Sequence, residues 1–251
     1  MPTDLVLRQD NGPIARLTLN DPERANVLSA AMIDALGAAV AASAADTSVR
    51  VIVLAAAGKV FCAGHELGEL RAGDDKAGHE ALFARCSALM LAIAASPKPV
   101  IARVQGAAVA AGCQLVASCD LAYAAESARF AVSGINLGLF CSTPSVALSR
   151  VVGRKAALEM LLTGRFVTAA EAAALGLINR AAPTSDLDRV TDEAASAIAG
   201  KPPEAVALGK ALFRRQIQMP IEGAYALAGE RMAENLTFPA TKAGIDSFLA
   251  R

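Results

Sequence analysis

Apolar residues change their spacing midway along the chain. In the first half, short β-branched runs at residues 5–8, 14–19, 51–55 and 100–104 predict strands, with Asp10-Asn11-Gly12 as a turn between the first two. Helical spacing fills the gaps between them. Met32, Leu36 and Val40 share one helix face after Ser29, which predicts a helix over 29–43 with Ser29 as its N-cap. A longer helix is predicted over 76–95, stopped by Ser96-Pro97-Lys98-Pro99. Beyond Phe140 the pattern turns helical, with segments at 154–163, 168–175, 185–199, 203–216 and 221–235. Alternating strands and helices followed by a helical tail predict an α/β fold. Lys201-Pro202-Pro203 marks the boundary, with a core over 1–200 and a helical region over 201–251.

Composition narrows the function classes. The chain has 251 residues, 54% of them hydrophobic, enough for a large core and too many for a disordered state. Its 24 basic and 24 acidic side chains cancel, which argues against nucleic acid or an anionic membrane as partner. With no apolar leader and no run of about 18 apolar residues, a cytoplasmic protein is expected. Five scattered cysteines suit reduced thiols, and with His65 and His79 the sole histidines a metal site is not expected. Phosphate-cradling glycine loops and the serine nucleophile elbow are absent.

One physical device occurs twice. Val60-Phe61-Cys62-Ala63-Gly64-His65-Glu66-Leu67 and the segment 104–115, which contains Ala110-Ala111-Gly112-Cys113-Gln114-Leu115, both read as strand, tiny-residue turn, then helix start. Small side chains let a ligand approach the main chain, and two amides converging on one carbonyl make an oxyanion hole.

With these segments, Pro22-Glu23-Arg24-Ala25-Asn26-Val27-Leu28, Ser118-Cys119-Asp120-Leu121, Leu162-Thr163-Gly164 and Leu175-Gly176-Leu177-Ile178, the chain resembles the crotonase superfamily of enoyl-CoA hydratases and isomerases over its whole length. The run 111–120 with Gly138-Leu139-Phe140-Cys141-Ser142-Thr143-Pro144 is most similar to the divergent enoyl-CoA hydratase domain-containing protein 3 subgroup. The resemblance implies a spiral of ββα turns, a C-terminal helical trimerisation region, and a homotrimer or hexamer. It implies an acyl-CoA thioester as partner, held by the amides of His65 and Ala111, with Ala63, Gly64, Gly112, Phe140 and Arg24 around it. No cofactor is implied, since coenzyme A is part of the substrate.

The chain also departs from that pattern. The family's hydratases place a glutamate on each side of a water, and the matching positions here are Gln114 and Gly134. Neither residue can shuttle a proton near neutral pH. Efficient two-glutamate hydration is therefore not expected, and the paired change Gln114→Glu with Gly134→Glu is expected to raise it. An acyl-CoA-binding protein without chemistry, or another crotonase reaction such as thioester hydrolysis or decarboxylation, stays open. The His65 ring, Glu66, His79 and Glu80 are reserve acid–base candidates. Arg24 and Lys98 are candidates for the CoA phosphates, and Phe248 and Arg251 for a neighbouring subunit's CoA. The plainer reading takes Glu66 and Glu69 as helix-start acids, Asp120 as a backbone anchor, and Cys113 and Cys141 as apolar packing.

Overall fold

A computed structural model describes residues 4–72 and 75–250; Arg251 lies outside them. The chain opens with an antiparallel hairpin of β1 (Val6–Asn11) and β2 (Ile14–Leu19), then α1 (Ala30–Ala45). Three spiral turns follow. The first is β3 (Val51–Ala56), β4 (Val60–Cys62), α2 (Leu67–Ala72) and α3 (Lys76–Ala95). The second is β5 (Val100–Val104), β6 (Ala107–Val109) and α4 (Ala111–Ser118). The third is β7 (Leu121–Ala125), β8 (Arg129–Ala131), α5 (Ser142–Val151) and α6 (Arg154–Thr163). The chain continues through β9 (Val167–Thr168), α7 (Ala169–Leu175), β10 (Arg180–Ala182) and α8 (Leu187–Ala199), and ends with α9 (Pro203–Gln216), α10 (Ile221–Leu236) and α11 (Pro239–Leu249).

Each turn gives its first strand to a large sheet, ordered β1-β2-β3-β5-β7-β10, and its second to a small sheet, ordered β4-β6-β8-β9. This is the predicted α/β spiral. β3 is buried along its whole length, as a central parallel strand covered on both faces must be. Between the sheets and the inner helices lies the main core, to which α1 contributes Met32, Ile33, Leu36 and Val40, and α3 contributes Cys86, Leu89, Met90 and Ile93. Ser29 is the N-cap foreseen, its Oγ accepting from Met32 N at 3.2 Å. The first strand runs further than expected, to Asn11, which moves the turn one residue on. The second strand of each turn was implied by the resemblance alone, because strands of two or three residues carry no readable alternation.

The outer face of the large sheet is covered by α8. Ala195 packs on Ile14, Val51, Val53 and Ile101, and a charge network closes the edge. Asp188 accepts from Arg103 Nε at 2.8 Å and from Arg16 Nη1 at 2.7 Å, while Asp192 accepts from Arg16 Nη2 at 2.7 Å. The helical tail is fastened by a half-buried cation: Lys210 Nζ on α9 lies 2.6 Å from Asp120 Oδ2 and donates to the Lys98 carbonyl at 3.0 Å. Asp120 also accepts from Val100 N at 2.7 Å, so it is the backbone anchor expected of it.

The start of α4 presses directly on β4. A Cβ built on Gly112 would run into the Cys62 carbonyl and lie 2.9 Å from the Cys62 side chain. Backbone contact at that range admits hydrogen alone. Gly112→Ala is expected to destabilise the protein by about 2 kcal/mol or more, the usual scale for overpacking in a tight core, measurable by urea unfolding.

A second expectation concerns acid. The hydrogen bond from Arg103, joined by a weaker one from Arg16, pulls the Asp188 carboxyl down to about 2 from 3.8, against an opposing effect of burial that is smaller than that of Arg103 alone. A folded-state value below the unfolded one adds stability above the unfolded value, and that stability disappears as pH falls through about 2. The carboxylate is 55% exposed, so screening limits its worth to about 1 kcal/mol. Unfolding curves of the native protein and Asp188→Asn should differ by that amount at pH 6 and converge near pH 2.

Candidate functional site

The site is built by two backbone turns pressed together. On one side, β4 leads into Ala63-Gly64-His65, with Gly64 at φ +98°, a conformation that L side chains rarely adopt. A Cβ there would also sit 3.0 Å from the Val109 carbonyl oxygen and 3.4 Å from the Ala111 nitrogen. On the other side, β6 turns sharply into α4 at Ala110, held at φ 49° and ψ −115°. A non-glycine residue in that region stores strain, and it stands directly before the first amide of α4. Ala110 N donates to Ala131 O at 2.8 Å, which fixes the turn to β8.

This geometry leaves the amides of His65 and Ala111 free. Among the described residues neither N–H has a hydrogen-bond acceptor, and no side chain caps α4. The Gly64 carbonyl is taken by Leu28 N at 2.8 Å, and Ala63 N donates to Ala25 O at 3.1 Å, so the first turn is tied down on both sides of the free amide. Asn26 organises the same region and was not singled out from the sequence. Fully buried and at φ 52°, it donates to Ala57 O at 2.9 Å and Val60 O at 2.8 Å, and accepts from Asp21 N at 2.9 Å. An asparagine next to a small residue in a loop is the signal, because its amide can satisfy a turn's backbone while tolerating positive φ.

Of the residues named from sequence, Ala63, Gly64, His65, Ala111, Gly112 and Gln114 lie on these two abutting turns. Gln114 is 4% exposed, and its Oε1 has no partner. The His65 ring meets Phe83 of α3 edge-on, with centroids 5.5 Å apart. Burial pushes its pKa below the ordinary histidine value. The Leu28 backbone and the Glu69 charge oppose that shift, yet neither ring nitrogen has a partner in hydrogen-bond geometry. The imidazole is neutral near neutral pH.

Most of the reserve acid–base groups are committed elsewhere. Glu66 accepts from Gly68 N at 3.0 Å and Glu69 N at 2.6 Å, and these bonds hold its carboxyl below the usual range. Glu69 accepts from Ala30 N at 2.8 Å, His79 Nε2 is 2.9 Å from Leu70 O, and exposed Glu80 pairs with Lys76 at 3.2 Å. Burial pushes the Cys113 thiol up to about 12, consistent with packing rather than nucleophilic chemistry. Cys141 is buried and accepts from Gly134 N at 3.3 Å.

Two expectations are corrected. Lys98 is not a free phosphate ligand: its Nζ donates to the carbonyls of Ser43, at 2.9 Å, and Asp46, closing the C-terminus of α1. Gly134 cannot accept a glutamate in the present backbone, because a Cβ would strike the Leu139 carbonyl oxygen and lie 2.9 Å from Cys141 Sγ. The paired glutamate change therefore damages the loop instead of restoring a base. Phe248 is 75% exposed on α11. Arg24 is exposed, within 3.7 Å of Asp21 and 3.8 Å of Glu66, and Phe140 is 38% exposed beside Leu139 on the loop before α5. Among the described residues no group of three metal-ligating side chains occurs.

The family model Enoyl-CoA hydratase/isomerase matches residues 9–251. "Enoyl-CoA hydratase domain-containing protein 3, mitochondrial" is 45% identical in Xenopus laevis, over 98% of this chain and 83% of the relative. The Homo sapiens protein of that name is 42% identical over 100% of this chain and 82% of the relative. A crystal structure of an enoyl-CoA hydratase from Mycobacterium smegmatis superposes with a TM-score of 0.96 at 57% identity, covering 98% of this chain and 96% of that one. That of human enoyl-CoA hydratase domain-containing protein 3 gives 0.95 at 41%, covering 98% and 97%. The mitochondrial relatives overturn the cytoplasmic expectation. Its basis was weak physically: no helix among the described residues is long and apolar enough to cross a membrane, and that property does not select a compartment. With its spiral, its family model and these full-length likenesses in agreement, the chain belongs to the enoyl-CoA hydratase/isomerase family, the crotonases.

Proposed function

We propose that the protein binds an acyl-CoA thioester and polarises its carbonyl between the amides of His65 and Ala111. The observation that carries this reading is the pair of unpaired N–H groups on turns that Gly64 and Ala110 force together. Two fixed amides aimed at one oxygen stabilise the negative charge that develops when the α-carbon loses a proton or water adds at the β-carbon. They need no reorganisation as that charge appears. Donors of this kind contribute on the order of 100-fold to 1,000-fold each in enzymes where one has been removed. Coenzyme A supplies the activated carbonyl, so the reading calls for no further cofactor. Arg24 lies at the exposed edge of the first turn, where its guanidinium can meet a CoA phosphate.

Proton handling is where the reading departs from efficient hydration. Gln114 is neutral, Gly134 has no room for a side chain, and Glu66, Glu69 and His79 are engaged away from the hole. A second reading, an acyl-CoA-binding protein that has lost its chemistry, is favoured by the same observations. Turnover separates the two.

Calorimetry should show butyryl-CoA binding far more tightly than butyrate, and equal or absent binding of both would contradict the shared reading. Crotonyl-CoA hydration should run well below the roughly 10 per second of a typical enzyme. Gln114→Glu alone should not restore it, and Gly134→Glu should lower the melting temperature. Hydration near that typical rate by the native protein would show that another group handles the proton.

The same reading extends to assembly. Phe213, Ile217, Tyr225, Met232, Phe248 and Leu249 on α9–α11 are exposed in the single chain, with Tyr225 at 74%. Large apolar side chains exposed in this number on one helical region favour a self-complementary interface over solvent. Sedimentation at micromolar concentration should give a trimer or hexamer, and a monomer would contradict it.

A further inference from the structure

Away from the candidate hole, a cleft of about 360 Å³ opens between the end of α3 and one side of α9. The end of α3 and its exit lend it Ala94, Ala95 and Pro97, and α9 lends it Lys210, Arg214 and Arg215. No acidic side chain lines it. Its place in the fold separates it from the hole. α4 starts at the hole with Ala111 and runs 8 residues, about 12 Å, to Ser118. Just past that far end, Asp120 is bonded to Lys210 of the cleft. α3 spans the same gap: Phe83 meets the His65 ring, whereas Ala94 and Ala95, about three turns further along, line the cleft. Phe213 and Ile217, the exposed apolar residues of α9, do not line it, so the cleft and that apolar face are separate surfaces.

The three cations are unequally engaged. Lys210 Nζ lies 2.6 Å from Asp120 Oδ2 and donates to the carbonyls of Lys98 at 3.0 Å and Ile93 at 3.4 Å, which answers both that carboxylate and the carbonyl end of α3. Burial pushes the Lys210 ammonium below its ordinary value, Asp120 opposes that shift, and the nearby Arg214 charge reinforces it. Among the described residues, neither the Arg214 nor the Arg215 guanidinium has an ion-pair or hydrogen-bond partner, although Arg214 is half-buried. Basic residues suit the last turn of any helix, but that preference does not explain two unanswered guanidiniums lining one cleft.

The chemistry of the lining defines what would answer them. Each guanidinium is a planar fork of N–H donors with no acceptor, matched to an anion with several oxygens. A carboxylate has one charge and two oxygens, enough for one fork. A phosphate monoester carries roughly −1.5 to −2 charge near neutral pH and three acceptor oxygens, so a single group answers both. The alanines and Pro97 make no polar demand and suit an apolar or aromatic body.

We propose that the cleft between α3 and α9 binds a phosphate monoester carried on a compact apolar or aromatic body, with Arg214 and Arg215 holding the phosphate. The inference goes beyond the acyl-CoA reading and does not depend on it.

The test is calorimetry of the full-length protein with phenyl phosphate, inorganic phosphate, benzoate and phenol. Phenyl phosphate should bind at least roughly tenfold more tightly than each of the other three. Because neither arginine has a partner to lose, Arg214→Gln and Arg215→Gln should keep the native melting temperature while weakening phenyl phosphate at least roughly tenfold. Saturating butyryl-CoA should leave that affinity unchanged. No binding of phenyl phosphate at millimolar concentration overturns the proposal, as does equal affinity for phosphate, benzoate or phenol, or unchanged affinity in both variants. Competition by butyryl-CoA places the anion in the acyl-CoA site and overturns the cleft. Failure of butyryl-CoA to bind overturns the acyl-CoA reading alone, and the native ligand series still decides the cleft, even where a variant does not fold.

Discussion

Backbone against backbone, without an intervening side chain, is the contact on which the rest of the site depends. Gly112 on α4 touches the Cys62 carbonyl, and Gly64 touches the turn at Val109 to Ala111. A methyl group at either position would push the two turns apart. Because they close to this distance, the first amide of a helix in the second spiral turn faces the loop that ends the second strand of the first. The fold supplies the surrounding rigidity: β4, β6 and β8 pair in parallel, and Ala110 is pinned by Ala131. The strain at Ala110 persists because the parallel strands on both sides leave that turn no alternative.

Electrostatically the site is quiet. Carboxylates near it are spent on helix starts, the thiols are raised by burial, and the nearest imidazole is pushed toward its neutral form. What remains is a dipolar environment suited to stabilising charge on a carbonyl, with little capacity to move protons. The orphaned nitrogen and oxygen atoms of His65 and Gln114 are the exception, and they carry hydrogen-bonding capacity rather than charge.

Much of this was legible in the sequence, for identifiable reasons. The strands β2, β3 and β5 are long and β-branched, and Ser29 and Pro97 punctuate the helices around them, so β1, β2, β3 and β5 of the large sheet could be read directly, while alanine-rich β7 and the three-residue β10 could not. Repetition of a tiny-residue turn pointed to both abutting turns of the candidate site, since small residues are what close backbone approach requires at those points. The small sheet was not legible because its strands are too short to show a period. Lys98 and Gly134 misled for a shared reason: a sequence position says what a residue could reach but nothing of what already occupies its surroundings. Lys98 spends its charge on the end of α1, and the loop at Leu139 fills the space that a side chain at position 134 would need. Asn26 was passed over because a fully buried polar side chain is defined by its three partners, Ala57, Val60 and Asp21, none of them adjacent in sequence.

The claim at the centre of this account is that two main-chain amides grip a thioester carbonyl. Isotope-edited infrared difference spectroscopy of butyryl-CoA carrying a carbon-13 thioester carbonyl measures that grip directly, since hydrogen bonding to the oxygen weakens the C=O bond and lowers its stretching frequency. The account predicts a bound carbonyl band clearly below that of the free thioester in water. A bound band at or above the free value, with binding independently demonstrated, would contradict it.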